Sequence, residues 1–175
     1  MRSIYYSSYD AINNGRNNGI FHNKRCTEDK DIGMYFRNCV VTNGCFDVIH
    51  PGHLKLLNLL NEVAVKFSLK PIIFLNSDES IKKIKGESRP IVPETARSKI
   101  LTSLEHPFDV VMFDEENPQF LMDLLKPTFV IKGSDYLKKD VISYRDSHII
   151  ICKNLKDSSD DRNDDWSTTK ILLKK

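Results

Sequence analysis

Long apolar runs are missing from this chain. No stretch approaches the roughly 18 apolar residues of a spanning helix, and the N-terminus offers only Ile4, Tyr5 and Tyr6 before polar residues resume. These absences argue against a transmembrane segment and a secretory leader, so a cytoplasmic protein without a membrane partner is expected. Cysteine is scarce: Cys26, Cys39, Cys45 and Cys152 form no C-x-x-C pair. Spacing therefore supports neither zinc nor thiol-redox chemistry, and reduced thiols are expected. An excess of one charge is lacking too. Twenty-six Lys plus Arg against 24 Asp plus Glu leave +2, far from the basic balance of a non-specific nucleic-acid binder. No nucleic-acid partner is expected, and any anion site must be local.

What is present is a chain of 175 residues, 40% hydrophobic, enough for one domain with its own core. Residues 1–37, centred on Asn13-Asn14-Gly15-Arg16-Asn17-Asn18-Gly19, carry no sustained apolar period and read as an appended, flexible arm. Residues 38–175 read as the domain proper. Five β-branched runs punctuate it: Val40–Thr42, Ile72–Leu75, Val110–Phe113, Phe129–Ile131 and Ile149–Ile151. Between the first two, His53, Leu57, Leu60, Ala64 and Phe67 recur at helical spacing. A second helix is expected over 93–104 with Ala96, Ile100 and Leu104 inward, and a third from Asn117-Pro118 to Pro127. Strand–helix alternation with short connections implies a parallel α/β sheet with right-handed crossovers, whose ligands sit beyond the carboxyl ends of the strands.

The stretch following the first strand is Asn43-Gly44-Cys45-Phe46-Asp47-Val48-Ile49-His50-Pro51-Gly52-His53. Gly44 lets backbone approach a ligand, and Pro51 suits the first helical position, which places His50 at the cap and His53 one turn on. Two imidazoles at the positive end of a helix suit a phosphate group. An H-x-x-H pair can equally hold zinc if His22, His106 or His148 supplies a further ligand, and a histidine at a helix end is often an ordinary capping or surface residue.

The G-C-F-D-x-x-H-x-G-H pattern resembles the signature of the nucleotidyltransferases that include the cytidylyltransferases and the heptose-phosphate adenylyltransferases. Residues 76–90, Lys132-Gly133-Ser134-Asp135-Tyr136 and Ser167-Thr168-Thr169 are similar to segments of the D-glycero-D-manno-heptose 1-phosphate adenylyltransferase domain. The resemblance spans about residues 38–175. It implies a Rossmann-like three-layer sandwich of the HUP nucleotidyltransferase type with a five-stranded parallel sheet. It also implies attack by a substrate phosphate on the α-phosphorus of ATP or CTP, with release of pyrophosphate.

Both reactants are anions, so positioning and electrostatics must supply most of the catalysis. The resemblance assigns catalysis to His50, His53, Lys83 and Lys85, the lysines acting from a mobile loop. Nucleotide contacts fall to Asn43, Gly44, Cys45, Phe46, Gly52, Lys132, Gly133, Asp135, Ser167, Thr168 and Thr169, and substrate contacts to Asp47, Lys82, Arg97 and Arg162. Asp47 is read as a carboxylate that orients the glycine turn or a ligand hydroxyl. Magnesium is expected with the triphosphate, held mainly by its phosphates without a dedicated protein cage. A sugar 1-phosphate is the favoured partner substrate, and a homodimer is expected. Arg162, five residues before Ser167, matches instead the cytidylyltransferases for glycerol 3-phosphate and choline phosphate. CTP chemistry therefore stays open, as does a nucleotide-binding module without catalysis.

Overall fold

A computed structural model describes residues 5–7, 38–106, 108–152 and 168–173. Its elements run β1 (Tyr5–Ser7), β2 (Cys39–Gly44), α1 (Pro51–Phe67), β3 (Lys70–Asn76), α2 (Asp78–Lys85), α3 (Glu94–Thr102), β4 (Asp109–Phe113), α4 (Gln119–Leu125), β5 (Phe129–Lys132), a 3-10 turn (Lys138–Asp140), β6 (His148–Ile151) and α5 (Thr168–Leu173).

The five apolar runs all become parallel strands. Val41 lies between Ile72 of β3 and Val130 of β5, Ile73 pairs with Val110, and Val130 with Ile149. The sheet order is β1-β4-β3-β2-β5-β6. A sixth strand comes from the segment expected to be a flexible arm: Tyr5–Ser7 pairs antiparallel with Val110–Met112 of β4. The rest of residues 1–37 lies outside the described residues, as does the acidic stretch around Arg162 and Ser167.

Alternation along each strand builds a core on both faces, which is why the runs are apolar throughout. Val40, Ile73, Leu75, Val110 and Met112 pack with Leu57, Leu60 and Ala64 of α1 and Leu101 of α3. On the other face Val41, Ile72, Phe74, Val111 and Phe113 meet Leu121, Met122 and Leu125 of α4. Each fully buried side chain of this size contributes about 1.5–3 kcal/mol. The result is the expected three-layer α/β sandwich. No helix among the described residues is long and apolar enough to cross a membrane.

Three local expectations shift. Phe67, expected on the inner face of α1, is 48% exposed at the helix end and its ring lies 4.8 Å from that of Phe129. In α3 the inward residues are Arg97, Ser98 and Leu101, while Ile100 is exposed and Leu104 lies past the helix. The helix α4 starts two residues after Asn117, whose Oδ1 accepts from the Gln119 N–H at 3.1 Å.

Chain order steps from β2 through β3 to β4 on one side, then crosses back to β5 and β6 on the other. The switch point lies between β2 and β5, and a crevice opens where their carboxyl ends diverge.

Candidate active site

A cavity of about 440 Å³ occupies that crevice. Its walls come from the glycine turn after β2, the first turn of α1, the end of α2, the loops after β4 and β5, and Thr168 and Thr169 of α5.

His50 caps α1 with an extended backbone, φ −146 and ψ 166, yet its side chain bonds no first-turn N–H, and no acidic residue stands in that turn. A Ser or Asp there would stabilise the helix by about 1 kcal/mol. That stabilisation is forgone, and the positive helix end faces the cavity without a counter-charge. The His50 and His53 rings stack at 3.7 Å with 23° between their planes, on one side of the turn. Both Nδ1 atoms are buried without a hydrogen-bond partner. Burial holds the His50 imidazole below its ordinary value. Burial, then the neighbouring His50 and Lys85, push His53 down to about 3, against a hydrogen bond to the Val48 backbone that favours the charged form. The free site therefore presents two neutral imidazoles at pH 7.

Phe46 supports this pair. Its φ of 46 is left-handed, a strained conformation for a bulky residue. The conformation tucks its ring, 2% exposed, against Gly44 and within 4.9 Å of the His53 ring. A Cβ on Gly44 would lie 3.2 Å from Phe46 Cε2, a tight contact that the ring would have to relieve by a few tenths of an ångström.

Asp47 is saturated by protein. It accepts from Arg89 Nε at 2.7 Å and from the Ile91 and Val92 N–H groups at 2.8 and 2.9 Å. Burial alone would raise its carboxyl, but the Val92 N–H, the Arg89 guanidinium and the Ile91 N–H outweigh this and hold it below the usual carboxylate range. Asp47 thus ties residues 89–92 to the glycine turn, the orienting half of its expected role, while Arg89 was not among the expected site residues.

Arg97 also acts on protein. Its guanidinium, with no exposed side-chain surface, donates to the carbonyls of Val92, Cys45 and Asn76 and to Asp78 Oδ1 at 2.7–2.9 Å. The structure makes it a hub of the loops beneath the cavity, and it does not line the cavity.

The expected mobile lysine loop is a helix. Ser77 caps α2 by accepting from the Ser80 N–H, Asp78 and Glu79 occupy the first turn, and the lysines the last. Asp78 N–H donates to Glu94 and Glu94 N–H to Asp78, both at 2.8 Å, which locks the starts of α2 and α3 together. Lys85 borders the cavity; Lys82 is exposed and does not. Lys83 turns the other way, to Glu79 at 2.7 Å and the Asp114 carbonyl at 3.4 Å.

Lys132, 5% exposed, reaches from β5 to donate to the Asn43 carbonyl at 3.0 Å, with the Tyr136 ring 4.3 Å away. Asn43, Gly44, Cys45, Phe46, Gly52, Gly133 and Asp135 border the cavity with it. Thr168 Oγ1 donates to the Val48 carbonyl at 3.4 Å, holding α5 beside the histidines. Sequence reasoning passed over Lys55, Asn76, Ile84, Glu116, Asn117 and Asp140, which also line the cavity. The loop after β4, carrying Glu116 and Asn117, was within reach of the rule that ligands gather at strand carboxyl ends.

Among the described residues no group of three His, Cys, Asp or Glu is placed to hold a metal ion, so the zinc alternative finds no ligand set there; His22 lies outside them. A cation accompanying a triphosphate would be held chiefly by the phosphates.

A parallel sheet with its crevice at the switch point, paired imidazoles opening the first helix and lysines of α2 and β5 lining the same cavity define a nucleotidyltransferase-type α/β domain. Residues 41–173 match the family described as Cytidylyltransferase-like, and the chain belongs to that family. Over 131 residues it is 43% identical to "Bifunctional protein HldE" of Aliarcobacter butzleri (strain RM4018), covering 73% of this chain and 27% of that protein. Over 103 residues it is 42% identical to the HldE protein of Bradyrhizobium sp. (strain ORS 278), covering 59% and 20%. The chain thus spans about a fifth to a quarter of these relatives. The crystal structure of a lipopolysaccharide core biosynthesis protein from Thermoplasma volcanium GSS1 superimposes with a TM-score of 0.51 at 19% identity, covering 65% of this chain and 94% of that one, a likeness of fold.

Proposed function

We propose that this domain transfers AMP from ATP to a sugar 1-phosphate, with D-glycero-D-manno-heptose 1-phosphate the favoured acceptor, giving an ADP-sugar and pyrophosphate. The observation that carries the reading is the stacked His50–His53 pair, both imidazoles neutral and both Nδ1 atoms unpartnered, at the uncompensated end of α1. The similarity of residues 76–90 and 132–136 to the adenylyltransferase domain, and the HldE relatives, support the adenylyl branch.

An oxygen of the acceptor phosphate attacks the α-phosphorus of ATP. The new P–O bond forms as the bond to the β-phosphate oxygen breaks, and pyrophosphate leaves with the electron pair. No enzyme nucleophile is needed. His50 and His53 hydrogen-bond the phosphoryl oxygens where charge accumulates, and Lys85 offsets the repulsion between the two anions. An anion beside the imidazoles favours their charged forms, so binding draws a proton onto a pair that the empty site keeps neutral. Thr168 and Thr169, beside the histidines, suit the distal phosphates by their hydroxyls. A divalent cation bound to the triphosphate would add further charge neutralisation.

The family description favours CTP transfer as the second reading, with glycerol 3-phosphate or a phosphorylated amino alcohol as acceptor. Pyrophosphate release is the test, measured with ATP or CTP against heptose 1-phosphate, glycerol 3-phosphate and phosphocholine. ATP with the heptose phosphate is expected to turn over; turnover with CTP and none with ATP would overturn the adenylyl reading.

A further inference from the structure

The glycine turn and the histidines bring neutral groups to the cavity floor, whereas a transferred phosphoryl group is an anion. Lys85 lies on the exposed end of α2. Lys132 alone among the cavity's lysines is 95% buried, since only 5% of its surface is exposed. Its ammonium touches one neutral acceptor, the Asn43 carbonyl, and one aromatic face, Tyr136. No carboxylate lies within ion-pair distance of it among the described residues. A buried cation without a counter-ion is costly unless something anionic completes it. It stands at the β2–β5 switch point, one residue from the glycine turn.

We propose that Lys132 is a catalytic cation of this site, its ammonium meeting the transferred phosphoryl group beside the glycine turn. The proposal rests on the phosphoryl-transfer reading. The bond changes are those given above, and Lys132 transfers no proton; it contributes charge that strengthens its hold as negative charge builds on the phosphoryl oxygens.

The charged and titratable groups around it are Asp135 and Tyr136 of its own loop, Cys45 of the glycine turn, and His50 and His53 of α1 across the cavity. Burial, opposed by Asp135 and Cys45, lowers the ammonium from 10.5 to about 8. Charge at Lys132 in the free protein is therefore full below that pH and lost above it.

Lys132→Met keeps the apolar stem and removes the charge, and Lys132→Arg keeps a charge that does not titrate. Each is checked for native circular dichroism. Two measurements follow: calorimetric binding of inorganic tripolyphosphate, and the pH profile of pyrophosphate release. The expectation for Lys132→Met is binding weakened about tenfold or more and kcat lowered about 100-fold or more. Wild-type kcat/KM is expected to fall as pH rises through about 8; Lys132→Arg is expected to retain turnover with that basic limb moved upward. Equal tripolyphosphate binding by wild type and a folded Lys132→Met, or an unmoved limb in Lys132→Arg, overturns the role of Lys132. The transfer reading fails separately, if wild type binds tripolyphosphate but turns over no triphosphate–acceptor pair. If Lys132→Met does not fold, Lys132→Arg decides the matter. A wild type that binds no tripolyphosphate sinks both.

Discussion

Replacing Arg97 by Met tests whether the floor of the site is held by one buried guanidinium. The four bonds of 2.7–2.9 Å join the glycine turn at Cys45, the end of β3 at Asn76, the approach to α3 at Val92 and the start of α2 at Asp78. Methionine fills similar space but takes the guanidinium from three carbonyls and from Asp78, whose Oδ1 keeps only the Glu94 N–H. Each buried acceptor left unsatisfied costs about 1–3 kcal/mol, so losing the donor of three carbonyls at once is expected to cost about 3–5 kcal/mol, with little added by Asp78, which is 32% exposed. For a chain of this size, where each kcal/mol moves Tm by about 2–4 °C, the fall is roughly 6–20 °C. Lysine should rescue little, because a single ammonium cannot span acceptors on four segments. Asp78→Asn should cost less, since an amide oxygen can still accept from the Glu94 N–H. Thermal and urea unfolding measure all three. A loss below about 1 kcal/mol for Arg97→Met would refute the hub, for it would place these bonds among those that water replaces freely.

Gly44→Ala should destabilise the protein by about 1–3 kcal/mol in thermal unfolding, because the new methyl must displace a Phe46 ring backed by His53. His53 titrates near 3 when folded and about 6.5 when unfolded, so between those values the unfolded chain binds the extra proton and stability is lost as pH falls. His53→Gln should flatten the wild-type stability slope between pH 6 and 4 by up to about 1.4 kcal/mol per pH unit, and unchanged slopes would contradict the assignment. Lys85→Ala should lower turnover by about 100-fold while Lys83→Ala, which loses only its contacts with Glu79 and Asp114, stays within about twofold. Steady-state pyrophosphate release distinguishes the two.

The strands were legible because a parallel strand covered on both faces must be apolar at every position, and Val40–Val41, Ile72–Leu75 and Val110–Phe113 satisfy that demand. The opening of α1 was legible for the opposite reason: His50 occupies a cap position where a better capping residue would stabilise the helix, so local preference is broken at the site. In α3 the inward stripe includes Arg97, which hydrophobicity counts as an outward residue; only the tertiary approach of Cys45, Asn76 and Asp78 makes burial favourable. The lysine segment looked like a loop because Ile81 and Ile84 are its only large apolar residues. Yet Ser77, the acidic first turn and the basic last turn were helix signals already in the chain. Once 78–85 is helical, residues 83 and 85 stand about 200° apart around its axis, which sends Lys83 to Glu79 and leaves Lys85 at the cavity. The saturation of Asp47 by Arg89 and two distant N–H groups depends on contacts more than 40 residues apart and leaves no local trace.

Pyrophosphate release by His53→Ala bears most directly on the claim that the paired imidazoles are the reaction centre. The substitution should leave circular dichroism native and triphosphate affinity within about tenfold while turnover falls about 100- to 1,000-fold. A folded His53→Ala protein that releases pyrophosphate at the wild-type rate would place the chemistry elsewhere.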